Sequence, residues 1–151
     1  MKQFLYILCS VFIVFISLFS NKSIANELDK VAACTGVVMG DGSVQLRDLN
    51  NEKNFNDAFK LAMTSFYGQA LSKNYSKEDL ALSEKIIGSN VDKIYLQKQW
   101  TAEVYNEVIR CYRMSGLKIL EKSKYIKKGS KIIEKYVSRY KSIFKRMIKA
   151  Q

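Results

Sequence analysis

Cys34, Cys111 and a run of lysines and arginines near the C-terminus are the residues of this chain best placed to do chemistry. The pair offers covalent cross-linking, the run attraction for anions. Histidine is absent from all 151 residues, which removes every histidine triad, histidine acid–base site and histidine metal site. Two cysteines without histidine do not make an ordinary zinc site, and neither a Cys-x-x-Cys redox pair nor an Asp-rich calcium loop is written in the chain. No cofactor, metal or small-molecule ligand is expected. Gly36-x-x-x-Gly40-x-Gly42 matches neither the P-loop nor the dinucleotide fingerprint. Glu103 and Glu107, beside Trp100, form a carboxylate pair. Glycosidases hold two carboxyls roughly 5 to 9.5 Å apart across a cleft, whereas these lie on adjacent turns of one helix with Arg110 three residues on. They read as a solvated face. The chain is expected to be non-enzymatic, the alternative being a small enzyme of carboxylate, Ser/Lys or Tyr chemistry.

The compartment follows from the N-terminus. Met1-Lys2-Gln3 precedes an apolar run over residues 4–19, and Ser23 and Ala25 stand at −3 and −1 before the chain turns polar at Asn26. This predicts a signal peptide over residues 1–25 and a secreted or periplasmic protein. The alternative is an uncleaved anchor, since about sixteen apolar residues approach the span of a bilayer. Cleavage removes Cys9 and leaves Cys34 and Cys111 as an even pair in an oxidising compartment, which predicts one disulfide. Val31-Ala32-Ala33-Cys34 also resembles a lipobox, but Lys22, Glu27, Asp29 and Lys30 separate it from the apolar run.

The elements that must position these residues are helical. The periodicity predicts an all-α bundle of four to six helices. Ala32, Gly36 and Gly40 fall four apart, so a helix over residues 27–40 can bring its backbone close to a neighbour. Asp41-Gly42-Ser43 signals a turn, and residues 44–49 a connector. Asn50 or Asn51 caps a helix carrying Phe55, Phe59, Met63 and Phe66. Ser76 with Asp79 opens a short helix that stops at Gly88. Leu96, Trp100, Val104, Val108 and Cys111 then lie on one stripe, which predicts that a helix over residues 94–114 is the core of the fold.

Charge divides the chain. Residues 26–114 hold 11 Lys and Arg against 12 Asp and Glu, and residues 115–151 hold 12 against 2. Residues 26–116 read as a disulfide-stapled core, and residues 117–151 as a basic amphipathic segment of the same domain. Ile133, Tyr136, Val137, Tyr140, Ile143, Phe144, Met147 and Ile148 form its apolar stripe, while Lys131, Lys135, Arg139, Lys141, Lys145, Arg146 and Lys149 occupy much of its remaining surface. Such a helix closes the protein's own core, docks on a protein partner, or meets an anionic membrane surface or acidic glycan. Nucleic acid fits less well, because the aromatic residues share the apolar stripe instead of interleaving with the lysines. The expected function is an exported interaction protein contacting an anionic surface through this helix, with a small periplasmic chaperone as a second reading.

Overall fold

Short polar side chains start three of the helices. Asn51 accepts a hydrogen bond from the Asn54 N–H at 3.0 Å. Ser76 and Asp79 satisfy each other's backbone N–H groups at 3.0 Å each. Thr101 accepts from the Val104 N–H at 3.4 Å. Each bond pairs a backbone donor that a helix start leaves free. The resulting architecture, in a computed structural model describing residues 27–150, is five helices: α1 over 27–49, α2 Glu52–Ser72, α3 Lys77–Tyr95, α4 Ala102–Glu121 and α5 Ser123–Lys149. The expected signal peptide, with its cleavage site after Ala25, lies outside the described residues.

The core is α1, and this corrects the expectation that residues 94–114 form it. From Leu28 to Leu46 all but Asp29, Lys30, Ala33 and Gln45 are buried. The predicted turn at Asp41-Gly42-Ser43 is continuous helix. Ser43 donates to the Met39 carbonyl at 2.9 Å, and Gly42 lies so close to α2 that a Cβ there would be 2.7 Å from that of Ala58. The helix ends at Asn50, which takes a positive φ of 49° while the Asn51 N–H bonds back to the Gln45 carbonyl at 3.1 Å. A left-handed residue just past the last turn is a common way to close a helix.

Small residues let α3 approach α1, as their spacing predicts. A Cβ on Gly36 would collide with the Ile87 carbonyl oxygen and lie 2.7 Å from the Asn90 Cβ, and one on Gly40 would lie 2.8 Å from the Ile94 Cβ. Ile87, Val91 and Ile94 are buried at this contact. Burying that stripe outweighs the roughly 1 kcal/mol that glycine costs a helix, so α3 runs through Gly88 instead of stopping there. Helix α3 ends at Tyr95, where a tertiary contact meets its last carbonyl. Arg47, near the end of α1, donates to the Tyr95 carbonyl at 2.6 Å and sits 4.6 Å above its ring. Residues 96–101 are outside any helix, Leu96 is 69% exposed, and only Val108 and Cys111 of the predicted stripe are buried.

Cys34 and Cys111 are bonded, joining α1 to α4 with their Cα atoms 4.8 Å apart. The bond uses the Cys34 sulfur that the lipobox reading requires. Helix α5 lies antiparallel on α2, with Ile126 over Gly68, Tyr136 stacked on Tyr67 at 4.6 Å, and Phe144 against Phe59 at 5.2 Å. The boundary expected at Gly116 falls inside α4, and the basic helix begins at Ser123.

Glu27 ties one end of the bundle together. Its carboxylate bonds to Lys73 at 2.8 Å and Lys118 at 3.0 Å, and these two hydrogen bonds hold its pKa down at about 2, below its ordinary 4.5. A depressed carboxylate stabilises the fold above its unfolded pKa and loses that contribution as pH falls through the folded one. The side chain is 35% exposed, so solvent screening reduces the contribution to about 1 kcal/mol or less. Glu27→Gln is expected to lower stability by this amount at pH 7 and by almost nothing near pH 2, read as the difference between urea midpoints at the two pH values. An equal loss at both would assign the effect to packing.

Candidate anionic-surface interface

The apolar stripe of α5 fixes where its charge points. Ile133 is buried, and Tyr136, Val137, Tyr140, Phe144 and Ile148 are partly buried against the core, whereas Met147, expected on the same stripe, is 55% exposed. At roughly 100° per residue, Lys124, Lys128, Lys131, Lys135, Arg139, Arg146 and Lys149 fall within a sector of roughly 80° on the opposite side. All seven are exposed. From Lys124 to Lys149 the rise is about 38 Å. Five of the seven residues expected to contact an anionic surface thus share one outward stripe: Lys131, Lys135, Arg139, Arg146 and Lys149.

Lys141 and Lys145 do not belong to it. They sit half-buried at the border with α2, where Lys145 bonds to Glu52 at 2.8 Å. That bond, followed by the charges of Lys145, Lys149 and Lys141, pulls the Glu52 carboxyl below the usual carboxylate range. Lys131, Lys135, Arg139 and Arg146 make no ion pair among the described residues. Their charge is directed to solvent, while Lys145 is partly neutralised.

Two recesses went unanticipated in the sequence. An apolar cavity of about 100 Å³ lies beneath α5, bounded by Met39, Met63, Phe66, Ile87 and Phe144, with the Tyr140 hydroxyl donating to Glu84 at 3.1 Å on its wall. It is well below the roughly 300 Å³ at which small-molecule sites begin. Burial, then the nearby Glu84 charge, raises the Tyr140 pKa. An open groove of about 410 Å³ holds Asp41, Gln45, Asp57 and Tyr112. Asp41 is 8% exposed and accepts from the Tyr112 hydroxyl at 2.8 Å. Burial raises its pKa against the lowering effect of hydrogen bonds from Tyr112 and Gln45. One signal marked this pair. Asp41 is an acid four residues after Val37 in an otherwise apolar stretch, where helical continuation buries it and turn propensity exposes it.

The Glu103 and Glu107 pair is not assembled into a cleft. Glu103 is exposed, and Glu107 bonds to Lys93 of α3 at 2.8 Å. Among the described residues no cluster of three or more acidic, cysteine or histidine side chains is arranged to hold a metal, and no helix is long and apolar enough to cross a membrane. The fold and this surface define a disulfide-linked five-helix bundle with one long basic face. No family model, curated protein or solved structure matches the chain.

Proposed function

We propose that this chain is an exported, non-enzymatic helical protein that binds an anionic surface through the outward face of α5. One observation carries the reading. The apolar stripe of α5 is occupied by packing on the core, so the face left over is the basic one, with Lys131, Lys135, Arg139 and Arg146 in no ion pair among the described residues. A basic residue close to an anionic membrane contributes on the order of 1 kcal/mol, and the attraction decays over about 10 Å at 0.1 M salt but about 3 Å at 1 M. Four such residues on one rigid face are sufficient for binding at low salt. The disulfide is compatible with an oxidising compartment.

Co-sedimentation with vesicles tests this. The processed chain beginning at Asn26 is expected to pellet with vesicles rich in phosphatidylglycerol, to stay in solution with phosphatidylcholine alone, and to be released by 1 M salt. The variant K131Q/K135Q/R139Q/R146Q is expected to bind at least about 100-fold more weakly with unchanged helicity, because it alters exposed side chains. Equal binding to neutral and anionic vesicles would contradict the proposal.

A further inference from the structure

One end of the bundle gathers exposed apolar residues with unpaired lysines. Leu117 and Leu120 are 59% and 73% exposed near the end of α4, and Tyr125 is 39% exposed in the first turn of α5. Large apolar side chains this open on adjoining turns mark an interaction site more often than isolated ones do. Lys124, Lys127 and Lys128, in the first two turns of α5, are exposed as well, and with Lys122 they make no ion pair among the described residues. The two carboxylates of this corner are already bound. Glu27 is shared by Lys73 and Lys118, and Glu121 is bonded to Lys118 at 2.8 Å.

From this juxtaposition we infer that the α4–α5 corner is a membrane-docking tip, its Leu117, Leu120 and Tyr125 entering the interface of an anionic bilayer while Lys124, Lys127 and Lys128 contact the headgroups. The inference rests on the anionic-surface reading above and deepens it by naming the surface and the point of entry. Charge complementarity favours a lipid surface over a second copy of this chain. A symmetric pair would set the same cluster of lysines against itself. Chain geometry favours it too. The apolar run over residues 4–19 joins the bundle at Glu27, whose carboxylate is 3.0 Å from the Lys118 ammonium. The seven intervening residues reach about 25 Å at most. A retained run would hold this end of the folded bundle within that distance of a bilayer. Apolar tips rimmed by lysine suit an interface where one end of the group is apolar and the other wet.

The test compares the processed chain with L117S/L120S/Y125S, after confirming an unchanged thermal midpoint, on phosphatidylglycerol vesicles and on a sulfated polysaccharide column. It adds a Leu120→Trp variant read against the parent, whose Trp100 supplies the background, with brominated lipid as quencher. The expected result is at least tenfold weaker vesicle binding by the triple variant with polysaccharide retention unchanged, and quenching of the added tryptophan on binding. Wild-type vesicle affinity in the triple variant, or an unquenched Trp at position 120, overturns the docking tip while leaving the basic-face reading intact. Failure of the parent chain to bind anionic vesicles overturns the docking tip, and failure on the polysaccharide as well overturns both.

Discussion

The C34A/C111A variant is expected to lose about 4 kcal/mol of stability, the entropy of closing a loop of 77 residues. For a domain of this size that lowers the thermal midpoint by on the order of 15 °C. It is the largest single effect expected, against a total of roughly 5 to 15 kcal/mol for an ordinary domain. The reason lies in α4. Of its twenty residues only Val108, Cys111 and Ser115 are buried, so the covalent bond to α1 supplies a hold on this helix that its own buried area does not. Loosening is therefore expected to begin at α4, and urea unfolding with and without reductant checks it. An unchanged midpoint on reduction would mean that packing alone holds α4 in place.

Gly36→Ala is expected to cost about 2 kcal/mol, because a methyl group there meets backbone of α3 and two close-packed helices must move apart. The same exchange at Gly116 is expected to stabilise by up to about 1 kcal/mol. That position is helical, with no atom within 4 Å of an added Cβ, so only the helix-propensity gain remains. Gly129→Ala falls between, since the methyl meets the movable end of Leu71. Thermal midpoints of the three variants should follow that order. Equal effects at Gly36 and Gly116 would remove close approach as the reason for glycine in α1.

These glycines also explain what was legible in the sequence. All seven glycines lie inside helices, none with positive φ, and the chain has no proline. Glycine as punctuation therefore misled at Gly42, Gly88 and Gly116, where helices continue. Read by spacing, at Ala32, Gly36 and Gly40, it located the α1–α3 contact. Features set by neighbours along the chain were visible: the caps at Asn51 and Ser76, the phenylalanine stripe of α2, the cysteine pair and the stripe of α5. Features set by distant partners were not. Arg47 meets the last carbonyl of α3 across 48 residues, and the Tyr112 hydroxyl donates to the buried Asp41 across 71. Those contacts lie where the helices depart from expectation, at the end of α3 and at Asp41 within α1. The basic residues were recognisable as a group, but separating Lys145 from the outward stripe needed the position of Glu52 on another helix.

Amide hydrogen exchange along α5, in the free protein and on anionic vesicles, tests the central claim most directly. If the apolar stripe closes the core and the basic face meets the surface, amides around Ile133 and Tyr140 are slow to exchange in free protein, to the same degree as those of α2, and remain so on vesicles. Rapid exchange along α5 in solution, with protection gained only on vesicles, would contradict the account. It would place the apolar stripe, not the lysines and arginines opposite it, against the membrane.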